Sequence, residues 1–199
     1  MAVEQYWKDS EHLKGVCNKY REPYNQCSTD LMIAVESRDS DSVKAILEEH
    51  KDDIDFMVRN GRFHSYLSVA SALDDKDTVE LLLSAGAPIN WGGSDAMEQP
   101  TPLSHAIKNG HREIARLLLQ KGANPNTVSH GDTPINLAVY NDDVESVVML
   151  IEAGSKASVP DSYFDAIGHA ETWGRTQIKE VLEAWVSTHP ESTFFEEEE

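Results

Sequence analysis

Residues 101–126, TPLSHAIKNGHREIARLLLQKGANPN, read as a helix, a tight turn, a second helix and a glycine stop. Leu103, Ala106 and Ile107 stand at helical spacing before Asn109-Gly110, and Ile114, Ala115, Leu117, Leu118 and Leu119 stand at helical spacing after it. Gly122 is placed to end the second helix, because a residue without Cβ enters the left-handed conformation there without steric cost. Pro102 suits the first helical turn, where a missing N–H loses no partner, and Thr101 can cap the free amides.

The same layout recurs on both sides. The unit SYLSVASALDDKDTVELLLSAGAPIN begins at Ser65, and TPINLAVYNDDVESVVMLIEAGSKAS begins at Thr133. Leu81-Leu82-Leu83 and Gly86-Ala87 match Leu117-Leu118-Leu119 and Gly122-Ala123, while Thr133-Pro134 and Gly154 match Thr101-Pro102 and Gly122. An earlier unit starts at Thr29, with Leu31, Ile33 and Ala34 before a polar turn and Val43, Ala45, Ile46 and Leu47 after it; His50 stands where the glycine would be. A degenerate unit follows Pro160, with Tyr163, Phe164, Ala166 and Ile167 before Trp173-Gly174 and Ile178, Val181, Leu182 and Trp185 after. Residues 1–28 read as a helix with Tyr6, Leu13, Val16, Cys17 and Tyr20 near one face, ended by Glu22-Pro23.

A unit that buries its apolar faces only against its neighbours needs its ends covered. The expected organisation is therefore an N-terminal helical cap over 1–28, repeats over 29–158, a degenerate capping repeat over 159–187 and an acidic tail over 188–199. The tail closes in EEEE, whose charges repel one another, and is expected to be disordered.

A period near 33 residues, two helices per unit, Thr-Pro at the start and Leu-Leu-Leu before Gly-Ala resemble the ankyrin-repeat family over about residues 29–187. The marks that carry the resemblance are Thr101-Pro102-Leu103, Thr133-Pro134, Asn109-Gly110-His111, Gly86-Ala87 and Gly122-Ala123. The chain departs from the pattern at the histidine after Thr-Pro-Leu, where Ser68, Ser104 and Asn136 stand. The resemblance implies an all-α solenoid of about four helix-turn-helix repeats with helical caps at both ends.

Composition narrows the function classes. With 17 basic against 35 acidic residues and a formal charge of −18, the chain lacks the basic stripe that phosphate backbones require, which disfavours nucleic acid; the acidic surface is read first as a solvated face, and as a steering surface for a basic protein partner in the alternative. The longest apolar runs, such as Val147 to Ile151, fall far short of the roughly 20 residues a bilayer span needs, and MAVEQYWKDSEH lacks a signal-peptide apolar core. No membrane role is expected, and the cytoplasm, with the nucleus as the alternative, is the expected compartment. Cys17 and Cys27 have neither redox nor zinc spacing and are read as reduced structural thiols. Asp52, Asp53 and Asp55 lack the glycine and distal glutamate of a calcium loop, and Trp91-Gly92-Gly93 lacks the strand-to-helix setting of a phosphate loop. No cofactor is expected.

By resemblance, ligands meet the finger loops and the exposed end of each first helix. This implies partner-binding positions at Arg62, His64, Met97, Glu98, His130 and Asp132 in the fingers, and at Leu73, Lys108, Asn109, Tyr140, Asn141 and His169 on the helices. Glu36-Ser37, Ala72-Leu73, Lys108-Asn109, Tyr140-Asn141 and Gly168-His169 are taken as equivalent pairs. Tyr140 is the expected anchor, as aromatic groups supply much of an interface's energy. Trp91 is expected to pack under its own finger. His105 fills the slot of Ile33, Val69 and Leu137, read as an inter-repeat core position carrying a titratable ring. His64, His130 and His169 lie along one expected face, without the i, i+4 spacing of a metal site, and no metal is expected. The leading expectation is a non-enzymatic module that binds a protein partner through the concave face and fingers. The alternative is a small-molecule isomerase or cyclase using His105, His64, His130 or Tyr140 as acid and base.

Overall fold

The computed structural model describes residues 30–49, 65–91, 100–129, 131–157 and 165–189. The expected N-terminal cap, the two cysteines, His50, the Asp52–Asp55 loop, Arg62, His64, Met97, Glu98, His130 and the tail from residue 190 lie outside them. The described chain is helical throughout, apart from one isolated β-bridge between Ser129 and Asp132. In chain order α1 covers 30–36, α2 Ser40–Glu49, α3 Tyr66–Ala72, α4 Lys76–Ser84, α5 Pro102–Lys108, α6 Arg112–Gln120, α7 Pro134–Tyr140, α8 Val144–Glu152, α9 Ala166–Thr172 and α10 Thr176–Thr188.

Helices α3, α5, α7 and α9 each open on a side-chain cap. Ser65, Thr101 and Thr133 each accept a hydrogen bond from the amide three residues on, and Asp165 accepts from two amides, Ile167 and Gly168. Pro102 and Pro134 begin α5 and α7, as the sequence predicts. The first helix of each pair closes after about two turns on a left-handed residue, and only two of the five are glycines. Arg38, Asp74 and Asp142 take φ of 58°, 59° and 56° beside Gly110 at 74° and Gly174 at 67°. Aspartate visits this region more readily than most residues, so the turn survives without glycine. The second helices of three pairs close on Gly86, Gly122 and Gly154, with φ of 87°, 92° and 90°. Behind each glycine the next amide reaches back to Leu82, Leu118 or Leu150, satisfying carbonyls at the helix end.

Two layers result. In the first, α3 packs on α5, α5 on α7 and α7 on α9; in the second, α2 packs on α4 and α8 on α10. Ala34, Ala70, Ala106, Ala138 and Ala170 occupy one equivalent position and are all buried, so the first helices approach closely. Leu82, Leu118, Leu150 and Leu182 do the corresponding work in the second layer and are fully buried.

The slot of His105 lies at the margin of the core, where Val69 and Leu137 pack against the buried residues. Ile33 is 46% exposed, and Val69, His105, Leu137 and His169 are half-buried. Two residues beyond the buried Leu103 is about 200° around a helix, which turns the side chain to the edge of the packed face, with the His105 Nε2 atom still buried. Trp91 is half-buried, its amide closing a turn to the Pro88 carbonyl.

The second helices show how neighbouring units are tied. Asp39, Asp75 and Asp143 cap their own helices through the amides of Ser42, Thr78 and Ser146. At the equivalent position His111 and Arg175 make no such cap and reach back one unit instead. The His111 Nε2 lies 3.0 Å from the Ala72 carbonyl, and Arg175 donates to the Tyr140 carbonyl at 3.2 Å and to Asp142 at 3.2 Å. These acceptors sit at the C-terminal ends of α3 and α7, where carbonyls lack intrahelical partners.

Arg112 makes the strongest of these ties, gripping Asp143 through two nitrogens at 2.9 and 2.8 Å and Glu145 at 2.8 Å. Burial pushes the Asp143 carboxyl up, but the hydrogen bonds from Arg112 and Ser146 and the guanidinium charge outweigh it and hold the group below its ordinary value. A carboxylate with a lowered folded pKa contributes stability that is fully present above its unfolded value, about 3.9, and is lost as pH falls through the folded value. Asp143→Ala removes both the cap and the tie and is expected to cost about 2 kcal/mol at neutral pH, the upper end for a helix cap. Asp143→Asn keeps a capping oxygen and drops the charge, so its deficit against the wild type should shrink as pH falls below about 4. Chemical denaturation at pH 7 and pH 3 checks both; a deficit that is the same at both values contradicts the assignment.

Candidate functional site

The described expected binding residues divide into two groups. Asn109 and Asn141 turn back into the stack. Asn141 donates through Nδ2 to the carbonyls of Ile107 at 2.9 Å and Lys108 at 3.1 Å, and Asn109 makes a longer contact of 3.5 Å to the Ala72 carbonyl. Leu73 closes α3 as its half-buried C-cap, and Lys108 is exposed at the end of α5. His105 stands on α5.

Asp132, Tyr140 and His169 come together. Asp132 sits in the finger between α6 and α7, where the Ser129–Asp132 bridge is closed by two backbone hydrogen bonds of 2.8 and 2.9 Å around Gly131, at φ 81°. That fold-back delivers the carboxylate to the C-terminal end of α7. There the Tyr140 hydroxyl donates to Asp132 Oδ1 at 3.1 Å and lies 3.2 Å from His169 Nδ1 on α9. The His169 ring stands edge-on to Tyr140, with centroids 5.4 Å apart and planes 77° apart.

Trp173 completes the group. Its ring lies 5.4 Å from that of Tyr140 at 51°, and 56% of the residue is exposed. It is the C-cap of α9 and occupies the position of Asn141, the C-cap of α7. Thr172 and Trp173, not Gly168 and His169, are therefore the counterparts of Tyr140 and Asn141. The expected pairing was one helical turn short. His169 still reaches the site because residues four apart share a helix face, which sets it beside Trp173. A signal was available: the 32-residue step from Thr101 to Thr133 leads from Asn141 to Trp173, and from Asp142 to Gly174.

The charges around the cluster are mostly committed. Arg175 pairs with Asp142, and Lys179 pairs with Glu171 at 3.1 Å and Glu183 at 3.8 Å. The Glu171 hydrogen bond and charge raise the Lys179 ammonium above its ordinary value. Among the described residues, no cation lies within ion-pair distance of Asp132. Among the same residues, no three His, Cys, Asp or Glu side chains are grouped as a metal site, and no helix is long and apolar enough to cross a membrane.

Known sequences carry the same repeat. Residues 67–161 match the family model for ankyrin repeats in three copies. FPV031, an ankyrin repeat protein of fowlpox virus, is 31% identical over 149 residues, which span 74% of this chain and 42% of the viral one. Rabankyrin-5 of mouse is 33% identical over 125 residues, 57% of this chain and 10% of its own length. The mouse B-cell lymphoma 3 protein homolog is 28% identical over 139 residues, 69% of this chain and 31% of its own. The chain thus spans less than half of each of these relatives. Repeated helix pairs capped by Thr-Pro and closed on glycine, stacked in two layers and matched by these sequences, establish that this chain belongs to the ankyrin-repeat family.

Proposed function

We propose that the chain binds a protein partner through the concave side of the first-helix layer, with Tyr140 and Trp173 as the anchors. The observation that carries the reading is the aromatic cluster at the ends of α7 and α9. Tyr140 is held by Asp132 and lies against His169, while Trp173 leaves more than half of itself in solvent. A ring already fixed by its neighbours loses little conformational freedom on binding, and exposed aromatics supply much of an interface's energy. Ankyrin repeats are in general protein-interaction modules. The fingers that carry Arg62, His64, Met97, Glu98 and His130 would extend the same surface. A cytoplasmic setting, with the nucleus as the alternative, and closure of the stack by the helix pair α9–α10 belong to this proposal.

The second reading, a small-molecule isomerase or cyclase, draws on the Tyr140 hydroxyl lying between a carboxylate and an imidazole. Tyr140→Phe separates the two. It keeps the ring and removes the hydroxyl, so binding should fall by no more than about fivefold, the loss of one hydrogen bond. Acid–base catalysis through that hydroxyl would lose on the order of 10² to 10⁴ in rate. A pulldown from the native source with mass spectrometry, using wild type and Tyr140→Ala as baits, identifies the partner. Equal recovery of every protein by the two baits would overturn the binding surface.

A further inference from the structure

We propose that the aromatic ledge of Trp173 and Tyr140 takes an arginine side chain from a basic segment of the partner, with Asp132 answering its charge. The inference rests on the concave-face reading above and names the chemistry of its central contact. Three observations point to it. The indole of Trp173 is exposed and is tilted against Tyr140 at 51°, leaving a bare aromatic surface at the end of α9. Among the described residues the neighbouring cations have carboxylates of their own, Arg175 pairing with Asp142 and Lys179 with Glu171 and Glu183. Asp132, held by the Tyr140 hydroxyl, is the carboxylate at this cluster without a cation among the described residues.

A flat guanidinium suits this arrangement better than an apolar side chain or an ammonium. The face of an indole attracts cations, and guanidinium is weakly hydrated and stacks on aromatic rings while its edge donates hydrogen bonds to a carboxylate. An apolar side chain would cover the indole and leave Asp132 unanswered. The net charge of −18 brings a basic segment to the surface but does not choose among cations. The ledge makes that choice.

The test uses the full chain, labelled with ¹⁵N, and two probes of equal charge, blocked tetra-arginine and tetra-lysine peptides. Binding is followed by the indole N–H resonances of the four tryptophans, with Trp173 assigned by its loss in Trp173→Ala. Tetra-arginine should shift the Trp173 resonance and bind more tightly than tetra-lysine. Trp173→Ala should weaken tetra-arginine about tenfold, and Trp173→Phe should keep most of the affinity. Asp132→Asn should weaken it severalfold. Because Trp173 is largely exposed, the alanine variant is expected to fold, and circular dichroism checks this; if it does not, Trp173→Phe against Trp173→Leu reads the same contrast. If the two peptides bind alike, or if Trp173→Ala binds tetra-arginine as tightly as the wild type, the acidic surface alone is acting and the inference falls. A native partner that needs Tyr140 and Trp173 but binds equally well with its arginines changed to alanine would overturn this inference and leave the concave-face reading standing. A partner indifferent to Tyr140→Ala and Trp173→Ala would sink both.

Discussion

A chain lacking residues 159–187 should melt on the order of 10 °C lower than the full protein and should self-associate on gentle heating. The cause is the stacked construction. In the first layer α9 packs on α7, and in the second α10 packs on α8, so deletion uncovers one flank of each preceding helix. It also removes Ala166, Ala170, Ile178 and Leu182, which are wholly buried. Two ties go with them: the bonds from Arg175 to the Tyr140 carbonyl and to Asp142. In a solenoid each unit's stability includes the interface with its neighbour, and a terminal unit lends its partner one such term. A few kcal/mol of lost interface corresponds to roughly this shift for a chain of this size. Calorimetric unfolding combined with light scattering reads both effects. A shortened chain that stayed monomeric and melted with the full protein would show that α9–α10 does not close the stack.

The repeat was legible because its marks are local. Thr101-Pro102 and Thr133-Pro134 specify helix starts within four residues, and Gly86, Gly122 and Gly154 specify stops within six. Such signals survive without knowledge of the neighbours. The turns on Asp74 and Asp142 were harder to read as equivalents of Gly110, since aspartate is common in other settings. His105 was legible only in part, for a different reason. Matching it to Ile33, Val69 and Leu137 was correct as alignment, and Val69 and Leu137 do pack against the core, but the slot is half-buried at its margin and Ile33 is nearly half exposed. The angle around the helix from Leu103 decides it.

The site was legible in part. Tyr140, Asp132 and His169 were each expected on one face, and the structure joins them through one hydroxyl. That joining depends on how the finger folds back at Gly131 and how α9 lies on α7, neither of which a sequence period reports. The counterparts of Tyr140 and Asn141 were misplaced at Gly168 and His169 because the last unit lacks Thr-Pro: Asp165 caps α9 instead, and without that mark the pairing slipped by one turn. Asn141 shows the reverse case. Its position fits a binding residue, yet its amide nitrogen serves the end of α5.

The binding account turns on whether affinity concentrates at Tyr140. Its ring contacts both His169 and Trp173, and its hydroxyl orients Asp132, so truncation removes an aromatic surface and loosens three neighbours at once. Central aromatic anchors of this kind cost about 2 kcal/mol or more when cut to alanine, some thirtyfold in affinity. Glu80 is the natural contrast, exposed on α4 in the second layer. The direct measurement is isothermal titration of the recovered partner into wild type, Tyr140→Ala and Glu80→Ala, with thermal unfolding of each as the control for folding. The account predicts a loss of about 2 kcal/mol or more for Tyr140→Ala and almost none for Glu80→Ala. Unchanged affinity for a folded Tyr140→Ala, or equal losses for the two variants, would contradict it.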